Sequence, residues 1–150
     1  MRAVIQLVSN SSVKIVGDAG PENSTGYGLT VLLAASALDT EKEVEKTIDK
    51  ILKLRIFPDD DNKMNLNIID AGGDILLIPQ FTLYGDLKGN NRPNFSKAAM
   101  KDNALKLFTL VETKLREKGV SVKTGFFGEH MVIKQELDGP VTIILDTEFI

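Results

Sequence analysis

The chain has 150 residues, 43 % apolar and 26 % charged, with 18 Lys and Arg against 21 Asp and Glu and a formal net charge of −3. With no Cys and a single His, it has no disulfide, no thiolate nucleophile, no Cys-ligated zinc and no two-His metal site within one chain. The acidic balance argues against nucleic-acid binding driven by net charge, and the length fits one domain, residues 1–150, able to bury about two-thirds of its unfolded surface.

Residues 2–9 (RAVIQLVS) and 12–16 (SVKIV) are rich in Val and Ile and predict two short strands. The Gly, Pro, Asn and Ser of 17–28 predict a loop, and the apolar run 29–37 (LTVLLAASA) predicts a strand buried on both faces. Thr40-Glu41-Lys42-Glu43 matches a capping box, in which hydroxyl and carboxylate each accept from a free backbone N–H, so a helix starts at Thr40. Val44, Ile48, Ile51 and Leu52 form its apolar stripe, and Pro58 with the acidic 59–61 ends the unit. Residues 66–70 and 74–78 flank Ala71-Gly72-Gly73 and predict a hairpin with a Gly-rich turn. The stretch 84–97 is too polar and too rich in Gly, Asn and Pro for a regular element. A second helix is expected from about 98 to 118, with Ala104, Leu107, Phe108, Val111 and Leu115 facing inward and Gly119 just past its end. Strands are expected at 120–127, 130–136 and 141–146. Two main helices against seven or eight strands define an α/β fold, a mixed or barrel-like sheet packed with those helices. The opening residues are too few and too polar for a signal peptide's apolar region, and no run nears the roughly 18 apolar residues of a membrane span, so a soluble cytoplasmic protein is expected.

No familiar catalytic constellation assembles from these residues. His130 falls in a predicted strand, where a structural or surface role outweighs a catalytic one. Asp59-Asp60-Asp61 lacks EF-hand spacing and reads as a solvated turn, and Gly72-Gly73 lacks the Lys-Ser/Thr of a phosphate loop. Two segments stand out. Pro79 cannot donate to a sheet ladder, so it breaks the strand or marks its edge, and Gln80 and Thr82 then emerge beside Phe81 and Tyr84. An aromatic floor with amide and hydroxyl groups suits a nucleobase or a small polar ligand; it equally suits a strand end whose aromatics fill the core. Asp138-Gly139-Pro140-Val141-Thr142 reads as a turn between two strands. Charge is uneven as well. Residues 87–101 hold Lys88, Arg92, Lys97 and Lys101 with no acid, so this window carries +4 and the remainder −7. With Phe95 inside it, the loop suits a phosphate backbone near a stacked base; a solvated loop ahead of a cationic helix start is the plain alternative.

The strings Met1-Arg2-Ala3-Val4-Ile5-Gln6, Leu54-Arg55-Ile56-Phe57, Lys63-Met64-Asn65-Leu66, Gln80-Phe81-Thr82-Leu83-Tyr84-Gly85, Arg92-Pro93-Asn94-Phe95, Thr124-Gly125-Phe126-Phe127-Gly128 and Gly139-Pro140-Val141-Thr142 occur in this order. With them the chain resembles the D-aminoacyl-tRNA deacylase family over essentially its whole length. The resemblance implies a homodimer that hydrolyses the ester between a D-amino acid or glycine and the 3′-terminal adenosine of tRNA. It implies an active site at the dimer interface, with Gln80, Phe81 and Thr82 on one side. Gly139-Pro140, in cis, reaches in from the other subunit to exclude L-amino acids. Pro79, Phe95 and Ser96 would line the substrate pocket, and Lys88, Arg92, Lys97 and Lys101 would meet the tRNA backbone. No metal or cofactor is implied, nor a membrane or DNA partner.

In the family the 2′-hydroxyl of the terminal adenosine is thought to assist hydrolysis, while the protein supplies positioning and backbone N–H groups. The backbone around Phe81 is the candidate here. Thr82 as nucleophile is disfavoured, because no base is evident to activate it. Three positions depart from the family pattern: Pro79 where Ser is usual, Leu137 where Asn is usual, and Leu7 where an Arg thought to hold the Gly-Pro loop is usual. A Pro-Gln start is similar to a related animal group that removes L-alanine from a threonine tRNA. A deacylase of relaxed chirality, and a non-catalytic tRNA-end binding module, are therefore the other two readings.

Overall fold

The structure, a computed structural model, describes residues 1–89 and 91–150; Asn90, within the stretch expected to be irregular, lies outside the described residues. The two short strands expected at the start are one, β1 (Arg2–Ile15). Its polar Ser9–Ser12 stretch suggests an interruption, but backbone pairing on both edges carries the strand through it. β2 (Asn23–Thr25), inside the expected loop, pairs with that distal half, and the buried Ser11 and Thr25 hydroxyls meet at 2.9 Å.

β3 (Gly28–Ala34) is buried on both faces, as its apolar run predicts. Helix α1 (Glu41–Lys53) follows with its capping box intact: Thr40 Oγ1 accepts from the Lys42 amide, and the Glu43 carboxylate accepts from the Thr40 amide at 2.9 Å. Those bonds hold the Glu43 carboxyl below its ordinary value, the Thr40 hydroxyl contributing most. Val44, Ile48 and Ile51 face the core.

The expected hairpin at 66–78 does not form. Residues 64–66 form β5 (Met64–Leu66), which pairs with β4 (Phe57–Pro58). Beyond a Gly72–Gly73 turn, β6 (Asp74–Pro79) runs parallel to β3. A strand-turn-strand pattern looks alike whether the strands pair with each other or elsewhere; here the helical crossover through α1 supplies a parallel partner. Gly28 permits the close start of that pairing, since a Cβ there would lie 1.9 Å from the Asp74 carbonyl oxygen.

Helix α2 (Lys101–Glu117) is the second crossover, from β6 to the parallel β7 (Val122–Thr124). Its end is a Schellman motif with Gly119 at φ +86°: Val120 N donates to Leu115 O and Gly119 N to Arg116 O. The two helices pack together over one face of the sheet, joined by Lys114 and Glu45 at 2.5 Å.

Strands 130–136 and 141–146 are one strand, β8 (Met131–Asp146), antiparallel to β1. The expected turn at 138–142 is instead a bulge within it. Register passes from Val8–Leu137 to Gln6–Thr142, so Asp138 to Val141 all stand opposite Leu7. His130 lies just before β8, exposed, its carbonyl accepting from Val16 N.

The mixed sheet thus runs β8-β1-β3-β6-β7, with β2 beside β1. The Asn23 amide donates to Thr124 O at 2.8 Å, tying β2 to β7 and curling the sheet into a barrel-like surface. The main core lies between sheet and helices, and a smaller one of Val13, Leu76 and Ile78 lies behind it. Among the described residues, no helix is long and apolar enough to cross a membrane.

Candidate active site

Three parallel strands end side by side: β3 at Ala34, β6 at Pro79 and β7 at Thr124. In sheets with helical crossovers, ligand crevices form beyond such carboxyl ends. Here a cavity of about 330 Å³ opens there. Leu33 to Ala35 line it from β3, Pro79 to Phe81 from β6, and Phe127 and Gly128 from the segment after β7; Lys101, Ala104 and Phe108 of α2 close its side. The walls are largely apolar. The charged and amide side chains among them are Lys101 and Gln80.

The segment after β6 is held in a defined shape. Pro79 stands opposite Leu33 in the ladder, and Gln80 N donates to Leu33 O at 2.8 Å. Phe81–Tyr84 then form one 3-10 turn, with Leu83 N donating to Gln80 O and Gly85 N to Thr82 O. At the start of such a turn the N–H groups of Phe81 and Thr82 have no acceptor within the turn, so they are free to donate outward. Phe81 is 54 % exposed and meets Phe95 edge to face, ring centroids 5.1 Å apart. Gly85 leaves room for this pair, since a Cβ there would lie 3.2 Å from the Phe95 ring. Thr82 is exposed, outside the cavity lining, and its hydroxyl has no hydrogen-bond partner among the described residues. Tyr84 turns inward instead; burial pushes its phenol well above the ordinary value, so it stays protonated.

The basic loop is also organised. Asp86 and Asn94 exchange backbone bonds of 2.8 and 2.9 Å. The Asp86 carboxylate accepts from Lys88 N at 2.8 Å and faces Lys97 Nζ at 3.6 Å; the Lys88 amide first, then Lys97, hold that carboxyl below its usual range. Ser96 N donates to Asn94 Oδ1, which sets Phe95 beneath Phe81. Lys88, Arg92, Lys97 and Ser96 are exposed and outside the cavity lining, while Lys101 lines the cavity itself.

Gly139 and Pro140 are not brought to this cavity. They are exposed, joined by a cis peptide, at the level of Leu7 and hence of Leu29. Leu29 is four residues before Leu33, roughly 13 Å along β3, and β8 and β6 are on opposite sides of the β1-β3 pair. Asp138, beside them, faces Tyr27, whose phenol is raised by burial and then by that charge. Leu7 points into the core, 3 % exposed. Sequence reasoning missed Phe127 and Gly128 as cavity residues. The available cue was an aromatic-Gly pair directly after an apolar strand.

A largely apolar cavity whose lining includes the Gln80 amide and the Lys101 ammonium suits an acyl-transfer hydrolase that works by positioning. Comparison with known proteins gives the class and the family. The family described as D-Tyr-tRNA(Tyr) deacylase matches residues 4–146. A D-aminoacyl-tRNA deacylase of Brevibacillus brevis is 46 % identical over 147 residues, covering 98 % of this chain and 100 % of that one. One of Clostridium perfringens is 47 % identical over 148 residues, covering 99 % and 98 %. Among solved structures, one described as a c-Myc DNA unwinding element binding protein has a TM-score of 0.90 at 37 % identity, covering 98 % of this chain and 99 % of that one. Another, described as a probable eukaryotic D-amino acid tRNA deacylase, has a TM-score of 0.84 at 19 % identity, covering 96 % and 97 %, and supports the fold alone. The protein is a hydrolase acting on ester bonds. The chain belongs to the D-aminoacyl-tRNA deacylase family.

Proposed function

We propose that this protein hydrolyses the ester joining a D-amino acid or glycine to the 3′-terminal adenosine of tRNA, as a cytoplasmic homodimer. Gln80 and Phe81 position the ester, and the backbone N–H groups of Phe81 and Thr82 face the oxyanion as it develops. Phe95 and Ser96 hold the adenosine beside Phe81, and Lys88, Arg92, Lys97 and Lys101 meet the phosphates of the acceptor end. Gly139-Pro140 enters from the partner subunit and occupies the space an L side chain needs.

One observation carries this reading. Gln80 and Phe81 line the cavity, while the chain's own Gly139-Pro140 stands exposed elsewhere, which supports the supply of the second motif by a partner copy. A second reading has its own support. Leu7, beneath the Asp138–Val141 bulge, is an apolar core residue and cannot grip that bulge as a five-donor guanidinium does, which favours relaxed chirality and removal of L-alanine.

One assay separates them: the protein is incubated with D-Tyr-, Gly- and L-Ala-charged tRNA and ester loss is followed. Loss of the D and glycyl esters with L-Ala spared supports the first reading. Loss of L-Ala from tRNA supports the second. Tight binding without turnover overturns both.

A further inference from the structure

Arg2 reaches from the start of β1 to the 3-10 turn that follows β6. In the ladders it stands opposite Asp146 of β8 and Ala34 of β3. Its Nε donates to Asp146 Oδ2 at 2.7 Å, and its Nη1 donates to the Leu83 carbonyl at 3.3 Å. Its guanidinium carbon lies 4.6 Å from the centre of the Tyr84 ring. One planar side chain thus makes three different contacts, two of them with consecutive residues of that turn. The opposite end of the turn is fixed by Gln80 N on Leu33 O. Between these anchors lie Phe81 and Thr82, the residues whose amides face the ester in the function proposed above.

We infer that Arg2 is a positioning residue for ester hydrolysis: braced by Asp146, it holds the 81–84 turn so that the Phe81 and Thr82 amides stay aimed at the reacting carbonyl. The inference rests on that functional reading. A lysine cannot replace the arrangement, because an ammonium offers no planar fork to bond a carboxylate and a carbonyl while covering a ring. Arg2 is 29 % exposed and outside the cavity lining, so it acts through the turn and not by touching substrate. The Asp146 hydrogen bond, foremost among the causes, keeps the guanidinium above its ordinary value, so Arg2 stays charged.

The test uses purified full-length protein and D-Tyr-charged tRNA. Arg2→Ala is expected to lower kcat roughly tenfold while KM stays within about twofold, as displaced donors act on the transition state more than on binding. Arg2→Lys should recover only part of kcat, and Asp146→Asn should reproduce most of the Arg2→Ala loss, with the double variant no worse than either single one. Thermal melting of each variant gives the folded fraction. A variant that melts lower but keeps kcat per folded molecule overturns the inference, as does a rise in KM with kcat unchanged. Should Arg2→Ala fail to fold, the kcat of Arg2→Lys and Asp146→Asn decides in the same way. Wild-type protein that releases no D-tyrosine counts against the functional reading, not against the brace, which a changed amide exchange rate at Phe81 and Thr82 in Arg2→Lys reads independently of turnover; an unchanged rate overturns it.

Discussion

At the end of β6, residues 79–85 are tied down from several sides. Gln80 N bonds Leu33, Arg2 bonds Leu83 and covers Tyr84, and Phe81 packs on Phe95. In the middle of β8, residues 138–141 step out of register opposite Leu7; Asp138, Gly139 and Pro140 stand in solvent, while Val141 packs partly against the core. The first region presents a finished surface to a cavity within one chain. The second presents a shaped projection, with Gly139 and Pro140 exposed at its tip. Catalytic geometry needs donors held still, so it is built where strands, a turn and a neighbouring side chain converge. In the function proposed above, the projection works by exclusion and needs only the right shape and a partner to enter.

The comparison predicts that damage to the two regions separates. Gly139→Ala places a Cβ 2.7 Å from the Val141 amide nitrogen, at a φ of +114° that L residues rarely adopt, so the projection must reshape. D-over-L discrimination on tyrosyl-tRNA should fall roughly 100-fold, about 2.7 kcal/mol, with D-ester hydrolysis largely kept. Parallel rates on D-Tyr- and L-Tyr-tRNA measure it, and unchanged discrimination breaks the division of labour. Phe81→Ala acts on the other side. It removes a cavity wall and the Phe95 contact, and should lower kcat/KM roughly tenfold for every accepted ester while leaving discrimination intact. Its cost in stability should be about 1 kcal/mol, the worth of an exposed aromatic pair, as read by chemical denaturation.

A smaller effect sharpens the cavity end further. Lys101 lines the cavity, whereas Lys97, in the loop outside that lining, already faces Asp86. Lys101→Ala should therefore raise KM for tRNA several-fold and reduce the slope of log KM against log salt by about 0.7, the value of one contact to a single-stranded phosphate. Lys97→Ala should do less of both. Equal effects would mean that the loop, not the cavity, sets the electrostatic contact.

How far these regions were legible in the sequence follows from the same physics. Helix α1 was readable because a capping box and an apolar stripe are local and act alone. The end of α2 was readable because only a residue that tolerates φ > 0 fits past a Schellman motif. The supposed hairpin at 66–78 was not, since strand partners lie far apart in sequence and only topology chooses them. The bulge at 138–141 looked like a turn for a related reason. Gly-Pro signals a local bend, while its meaning depends on the β1 residues across from it. For the site, the string around Gln80 was visible as polar groups breaking an apolar strand. Phe127, Gly128 and the brace from Arg2 were not, because the first two reach the cavity, and Arg2 the turn beside it, from distant parts of the chain.

The smallest expected effect is at Thr82, and it tests what kind of catalyst this is. A threonine nucleophile needs a base within hydrogen-bond reach to take its proton. Here the Thr82 hydroxyl is exposed and has no partner among the described residues, and it does not line the cavity. In the function proposed above, what Thr82 offers the ester is its backbone amide, and alanine keeps that amide in the same turn. Thr82→Ala should thus retain kcat within about threefold, since a backbone donor survives a side-chain truncation. Replacing a true nucleophile instead removes activity by several orders of magnitude, so single-turnover hydrolysis of D-Tyr-tRNA separates the two with a wide margin. Abolished turnover in a folded Thr82→Ala protein would move the chemistry from the backbone to the hydroxyl. It would also require a base that the end of β6, for all its anchoring, does not supply.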